Sequence, residues 1–272
     1  MDTLQAIAIG LFVNLITPIF KIFRIFFYRT SEVDKISKRL NQVLKLMNKS
    51  RDQKITIAEL SKILNFRKIS DLEKYFLNKE EPTFDFLEIL SNEFALNISW
   101  LTQGKENPFK YDEDHYIQLY DDCLKKIEKF NPEIIYFVRA DSINGETCIL
   151  LEINEYKSFV LNTFVHFSAI NGYGGMRQLV DLRKLIMHLI LEKNMITKSL
   201  IVPKGIFSNL FNGEIHPSVA IQKRIGTFQY WHDDFTDLYN QRYGYKHHEE
   251  YDQNFKDAFR ITKSHIEKYE ES

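Results

Sequence analysis

Apolar side chains recur at helical spacing through the first half of the chain. Between Ser31 and Asn48 they lie three or four residues apart, the period of an amphipathic helix. They are Val33, Ile36, Leu40, Val43, Leu44 and Met47. Three further helices are predicted, each from a residue or pair that favours a helix start: Thr56, Ser70 and Pro82-Thr83. With a short closing helix over residues 97–101, these patterns predict a five-helix module spanning residues 31–109.

The start of the chain has a different pattern. Residues 4–20 contain no charged side chain, and the apolar character continues to Tyr28 with only Lys21 and Arg24 interrupting. That length suits a helix that crosses a bilayer, and residues 1–29 are therefore predicted to form a membrane anchor. The alternative is an amphipathic helix lying in the membrane interface. Basic residues follow the apolar run rather than precede it, which predicts an amino terminus outside and a cytoplasmic remainder at the bacterial inner membrane.

The second half of the chain has the composition of strands. Short β-branched and aromatic runs at residues 134–138, 147–153 and 158–167 are separated by turns, which predicts a three-stranded antiparallel meander. Helices are predicted over residues 176–193 and 249–270, and residues 110–132 are predicted to be a helical connector. The fold class predicted is α+β: a membrane helix, an all-α five-helix module, and a small antiparallel sheet with covering helices in residues 133–272.

Charge is distributed unevenly along a chain whose formal net charge is -1. Residues 21–79 hold 15 basic and 6 acidic side chains, whereas residues 80–155 hold 6 basic and 17 acidic ones. The basic section suits anionic lipid or nucleic acid, although the two blocks could instead pack against each other. Cys123 and Cys148 match no disulfide or metal-binding spacing and are predicted to be buried thiols in a reducing compartment.

One segment carries a recognisable order of motifs. It contains Ile55-Thr-Ile-Ala-Glu-Leu-Ser-Lys-Ile-Leu-Asn-Phe, Ser70-Asp-Leu-Glu-Lys-Tyr-Phe-Leu, Glu81-Pro-Thr-Phe and Leu96-Asn-Ile-Ser-Trp-Leu-Thr-Gln-Gly. This segment, residues 55–109 of 272, resembles the Xre/Cro-type helix-turn-helix repressor family. The resemblance implies that Thr56 and Glu59 cap the second helix and that Ala58, Leu60 and Leu64 pack it against the third. It also implies that Trp100 closes the core.

The same resemblance assigns a groove-reading helix from Ser70 to Leu77. The residues implied for DNA binding are Arg67, Lys68, Ser70, Lys74 and Lys79. Asp71 and Glu73 stand at the end of the helix that would approach bases, and carboxylates there repel phosphates. A module used for protein contact is therefore the alternative.

The carboxyl half offers one dense polar cluster, Trp231-His-Asp-Asp-Phe-Thr-Asp. His232, Asp233, Asp234 and Asp237 are candidate ligand-binding or metal-binding residues, against the alternative of a capped helix start with buried aromatic rings. Gly172, Gly174 and Gly175 precede a helix and indicate a turn with positive φ more than a phosphate site. No nucleophile or acid-base motif is present, so we predict a protein that is not an enzyme and needs no cofactor.

Three functions follow from these predictions. The first is a membrane-anchored regulator whose helix-turn-helix module binds DNA or a partner and whose carboxyl domain senses a signal or dimerises. The second is a membrane effector of an antiphage defence or toxin system. The third is an enzyme that uses the Trp231–Asp237 cluster. The partners expected are membrane lipid, DNA, a second copy of the chain and a protein of the same defence system.

Overall fold

The computed structural model describes residues 31–112, 118–226, 230–239, 241 and 247–269. Five helices form the amino-terminal module. They are α1 (Glu32–Met47), α2 (Ile57–Ile63), α3 (Ile69–Phe76), α4 (Phe84–Glu93) and α5 (Ile98–Gln103). Their apolar faces meet in one core that includes Leu40, Leu60, Leu72, Leu90 and Trp100.

Side-chain caps begin most of these helices. Thr56 accepts a hydrogen bond from the backbone N–H of Glu59, whose carboxylate accepts in return from the N–H of Thr56. Thr83 caps α4 in the same way through the N–H of Phe86, and Asn97 caps α5. Each such cap stabilises a helix by about 1 kcal/mol. The module therefore owes its short helices to local hydrogen bonds as well as to its core.

The second domain is built on a five-stranded mixed sheet. Its strands are β1 (Tyr111–Asp112), β2 (Ile134–Asp141), β3 (Thr147–Glu152), β4 (Ser158–Leu161) and β5 (Thr197–Pro203). Their order across the sheet is β1-β4-β3-β2-β5. The pairs β2–β3 and β3–β4 are antiparallel, whereas β1–β4 and β2–β5 are parallel.

Helices cover both faces of this sheet. They are α6 (Leu119–Phe130), α7 (Tyr173–Met187, continued by a π-helical turn to Glu192), α8 (Lys204–Phe211), α9 (Pro217–Gln222), α10 (Trp231–Thr236) and α11 (Gln253–Tyr269). Along β2, Ile135 and Phe137 face the core shared with α6, α7, α10 and α11. Tyr136 and Val138 face α8 and α9. Because alternate residues of a strand point to opposite faces, β2 is buried on both.

The predicted antiparallel meander is present as β2-β3-β4, but the predicted fold class is corrected, because the meander is part of a five-stranded mixed sheet rather than a small antiparallel one. Residues 197–203 form β5, which lies parallel to β2 after α7 has crossed one face of the sheet. The prediction missed this strand because a parallel pair depends on a long crossover rather than on a local turn. Residues 110–132 were predicted to be a connector. They supply β1 and α6 to the domain, and α6 buries Leu119, Cys123 and Ile127 completely.

The predicted membrane topology also needs correction. The anchor assigned to residues 1–29 lies outside the described residues. Within the part of the chain that the structure describes, no helix has both the length and the apolar character needed to cross a bilayer. Helix α11, for example, is amphipathic and carries Lys256, Asp257 and Arg260. The structure thus gives no support to a single-pass inner-membrane protein with its amino terminus outside, and we do not retain that assignment.

A buried arginine joins strand β2 to the last described helix. Arg139 lies near the end of β2, and its side chain is 2% exposed. Its guanidinium donates two hydrogen bonds to the carboxylate of Asp252, one of 3.0 Å from Nη1 to Oδ1. The same guanidinium lies 5.9 Å from the ring centres of both Phe167 and Trp231. Asp252 also accepts from the N–H of Phe255, so one carboxylate pairs the arginine and caps α11.

We predict that Asp252→Asn destabilises the domain by about 2 kcal/mol. Asparagine retains the helix cap, but it leaves the buried charge of Arg139 uncompensated. Breaking a buried pair costs about 3–5 kcal/mol, and we reduce that figure because Asp252 is 51% exposed. The measurement is urea unfolding at neutral pH. As a matched control, Glu267→Gln removes a surface pair with Lys263 on the same helix. Equal losses in the two variants would contradict the assigned role of Arg139.

Candidate functional site

The turn between α2 and α3 presents the leading end of α3 to solvent. Asn65 adopts a left-handed conformation with φ of 56°, and the N–H of Phe66 donates to the carbonyl of Ser61. The chain then leaves residues 67–70 exposed before α3 begins to pack. Leu72, Tyr75 and Phe76 bury the inner face of α3 in the module core. One basic and polar end of this helix is therefore accessible to a partner.

The residues implied for DNA binding differ in their exposure to solvent. Arg67, Lys68, Ser70 and Lys79 are exposed. Lys74 is partly buried and pairs with Glu80 at 2.8 Å, and the hydrogen bond to that carboxylate raises the pKa of Lys74. The structure corrects the expected cap, because α3 begins at Ile69 with Lys68 at the N-cap and Ser70 lies inside the first turn. Ala58, expected in the packed face of α2, is exposed.

The outer face of α3 is not uniformly suited to phosphates. Glu73 is exposed, and Asp71 is partly buried. Ile69 and Leu77 are each 51% exposed, and the three residues Ile69, Glu73 and Leu77 recur every four residues along one side. The basic leading end favours a nucleic-acid backbone, whereas this apolar side favours a protein surface.

The two domains meet on a seam away from α3. Ser50 and Ser218 share a hydrogen bond of 2.6 Å between their hydroxyl oxygens. Arg51 pairs with Glu155 at 3.1 Å, and its guanidinium lies 5.2 Å from the ring centre of Tyr156. None of these contacts involves α3, so docking of the sheet domain leaves the α2–turn–α3 surface open.

An aromatic contact also joins the two domains at this seam. Phe109 belongs to the core of the helical module, and its ring meets the ring of His216 edge to face at 5.3 Å. His216 caps α9 by accepting from the N–H of Ser218. Burial lowers the pKa of His216 to about 4, so this imidazole is neutral at pH 7.

The structure places the predicted Trp231–Asp237 cluster in and around α10. His232 is 1% exposed, and its two ring nitrogens lie 3.0 Å from the hydroxyls of Ser199 and Thr197. Its ring stacks on Phe137 at 5.3 Å. Burial lowers the pKa of His232 to about 4, although the charge of Asp233 acts in the opposite direction. Both nitrogens are thus used inside the sheet domain.

The carboxylates of this cluster point to different partners. Asp234 accepts from the hydroxyl of Tyr251, and Asp237 accepts from the N–H of Gln241 at 2.8 Å. Among the residues that the structure describes, no group of three or more His, Cys, Asp or Glu side chains is arranged to hold a metal ion. The arrangement places His232 and Asp234 in contacts that hold α10 in the fold.

Two further predictions concern glycines and cysteines. None of Gly172, Gly174 and Gly175 has a positive φ. Gly175 instead provides space, because a Cβ there would lie 2.3 Å from Oδ1 of Asn171. Cys123 and Cys148 are buried, as predicted, and burial raises the pKa of both thiols.

Sequence reasoning missed a cavity at the edge of the sheet. Strands β2 and β5 end side by side, with Asp141 opposite Pro203, and β3 begins at the same edge. A cavity of about 230 Å³ lies near this edge, lined by the start of β3, the segment that follows β4, and α8. The sequence signal would have been Lys204, which follows β5 directly and lines the cavity, but β5 itself was not predicted.

Comparison with models of known protein families, with curated proteins and with solved structures returns no match.

We predict that folding stability falls in mild acid because of His216 and His232. An unfolded histidine binds its proton near pH 6.5, whereas these two bind it near pH 4 in the fold. The stability is fully present above pH 6.5 and is lost progressively as the pH falls toward 4. The loss is about 2 kcal/mol for each residue between pH 7 and 5.

Urea unfolding at pH 7 and at pH 5 measures this dependence. His232→Gln should reduce the loss between the two pH values by its own share, and His216→Gln by a similar amount. The double variant should show both reductions, because the two sites are separate. An unchanged pH dependence in all three variants would show that neither imidazole is held neutral by the fold.

Proposed function

We propose that this protein is a two-domain regulator whose helical module binds DNA through the leading end of α3. The observation that carries the proposal is the exposure of four consecutive residues, Arg67 to Ser70, at the start of that helix. In helix-turn-helix proteins the recognition helix enters the major groove with its amino-terminal residues near the bases. The docked sheet domain does not cover this surface.

Charge placement decides which contacts are available. Arg67, Lys68 and Lys79 can donate to phosphates, which gives affinity without sequence information. Lys74 is already engaged by Glu80 and contributes less. The module as a whole, residues 31–109, holds 13 basic and 12 acidic side chains. Binding must therefore come from the local arrangement at α3 rather than from a strongly basic domain.

The test is DNA binding by the full chain, measured as fluorescence anisotropy of a short labelled duplex of random sequence. Affinity should fall between roughly 50 and 200 mM salt, because each neutralised phosphate releases counterions. A plot of log affinity against log salt has a negative slope. We predict that Arg67→Ala with Lys68→Ala makes this slope shallower by about 2.

A control removes one positive charge elsewhere on the module. Lys105 is exposed just beyond α5, on the part of the module that continues into the seam, and Lys105→Ala should leave the slope unchanged. Absence of salt-dependent binding by the unmodified chain would rule out the DNA-binding proposal. Equal slopes for the double variant and the control would show that the leading end of α3 does not contact the DNA.

A second candidate function is self-association through the outer side of α3. Two large apolar side chains, Ile69 and Leu77, are half exposed there. Basic residues precede the helix and Glu81 follows it, so two antiparallel copies would bring opposite charges together across a two-fold axis. This candidate ranks second because Glu73 would meet its own copy near that axis.

Sedimentation velocity at several protein concentrations tests self-association. Ile69→Lys with Leu77→Lys should shift a concentration-dependent dimer to monomer. Ile89→Lys, at a position on α4 that is 55% exposed, is the control and should not. A chain that is monomeric at every concentration would exclude this second function.

A further inference from the structure

The cavity at the sheet edge has the composition of a binding site for a small planar molecule. Phe164, Phe207 and Phe211 line one part of it, and Glu146, His166 and Lys204 line another. Ligand sites commonly combine apolar walls with a few polar groups that orient the ligand. A cavity of about 230 Å³ accommodates a ligand of on the order of ten non-hydrogen atoms.

A break in strand pairing directs one of these rings. In the regular ladder Ile149 of β3 pairs with Leu161 of β4. The next pairing along this edge joins Glu146 to His166. Between the two pairs β3 advances three residues and its neighbour advances five, so the neighbour bulges. Bulges of this kind redirect side chains next to functional sites.

Phe164 lies in this bulge with a φ of 55°. A left-handed backbone is a genuine outlier for a bulky side chain, and such conformations cluster at binding sites. The ring of Phe164 is 37% exposed and meets Phe211 edge to face at 5.3 Å. The fold thus holds an aromatic ring at the cavity in a conformation that the local sequence disfavours.

Hydrogen bonds hold the carboxylate of Glu146 in place at the cavity. Its carboxylate accepts from the hydroxyl of Ser142, and Ser142 is itself held by the N–H of Gly145 and by Asn254, which donates to its carbonyl. Burial raises the pKa of Glu146, but the hydrogen bond from Ser142 and its other neighbours lower it more, so the carboxyl is ionised. Lys204, the first residue of α8, supplies a donor at the same cavity.

We propose that this cavity binds a planar nitrogen heterocycle of nucleobase size that bears an exocyclic amine. The phenylalanine rings would stack on its face, Glu146 would accept from the amine, and Lys204 would donate to a ring nitrogen or carbonyl oxygen. Carboxylates and lysines pair with the edges of bases in this way. The proposal goes beyond DNA binding by α3 and does not rest on it.

The end of α8 joins this cavity to the helical module. The side chains of Phe211 and Asn212 line the cavity. The carbonyl of Asn212 accepts from the side chain of Asn107 at 2.8 Å, and the carbonyl of Gly213 accepts from the N–H of Phe109 at 3.0 Å. Gly213 has a φ of 70°, and a Cβ there would lie 2.3 Å from the carbonyl oxygen of Phe109. A ligand in the cavity would therefore affect the contacts between the two domains through three consecutive residues, Phe211, Asn212 and Gly213.

Calorimetric titration of the full chain with two matched pairs of ligands tests the site. Adenine is compared with purine, and cytosine with uracil, because each pair differs at the amine position. We expect adenine or cytosine to bind with a Kd below about 1 mM and at least tenfold more tightly than its counterpart. Glu146→Gln should weaken that binding at least tenfold and reduce the discrimination within each pair.

Phe164→Gly separates the aromatic wall from folding. Glycine relieves the positive φ, which offsets part of the packing that is lost against Phe211, so thermal stability should fall only slightly while binding weakens at least tenfold. Asn194→Gly is the control, since Asn194 also has a positive φ, of 51°, but does not line the cavity; it should bind normally. Absence of binding by both amine-bearing bases would overturn the proposal, as would full binding by Glu146→Gln and Phe164→Gly.

Hydrogen exchange tests the link to the seam without any use of DNA. Binding of the tighter base should slow exchange of the Phe109 amide at least threefold, because its acceptor, Gly213, follows the residues that line the cavity. Asn107→Ala should bind the base normally and show a smaller effect at Phe109. Binding with unchanged exchange at Phe109 would overturn the link and leave the binding site standing.

Discussion

The pairing of Arg139 with Asp252 constrains the sheet domain more than any other interaction described. A guanidinium on a strand buried on both faces requires a nearby carboxylate, since an unpaired charge there would be strongly destabilising. Asp252 meets that requirement and caps α11. Two residues later Asn254 donates to the carbonyl of Ser142, and the hydroxyl of Ser142 donates to Glu146. One buried charge thereby positions a helix, a hairpin and the carboxylate of the candidate ligand site.

Local features of the fold could be predicted from the sequence, and non-local ones could not. The capping box of Thr56 and Glu59 spans four consecutive residues, and it is present in the structure. The parallel strand β5 depends on a crossover by α7, and no local pattern distinguishes it from other short apolar runs. Ser70 was assigned as a cap by its type, but α3 begins one residue earlier, at Ile69, with Lys68 at the N-cap and no side-chain cap.

The candidate sites show the same division. His232 and its neighbouring aspartates look like ligands in sequence because they are adjacent there. In space they separate, since Ser199 and Thr197 on β5 take both nitrogens of His232 and Tyr251 takes Asp234. The cavity at the sheet edge has the opposite character. Glu146, Phe164 and Lys204 are far apart in sequence and come together only because β3, the bulge after β4 and the end of β5 share one edge.

The composition of the seam bears on how the two domains could influence each other. Most of its described contacts join neutral groups: the hydroxyls of Ser50 and Ser218, the rings of Phe109 and His216, and the backbone of Gly213. Its ion pair, Arg51 with Glu155, has a glutamate that is 68% exposed and is therefore screened by salt. Contacts between neutral groups weaken when the groups move apart, and they depend little on salt. A regulator assembled in this way would respond to movement of the Phe211–Gly213 backbone, whereas salt would act mainly on the exposed basic end of α3.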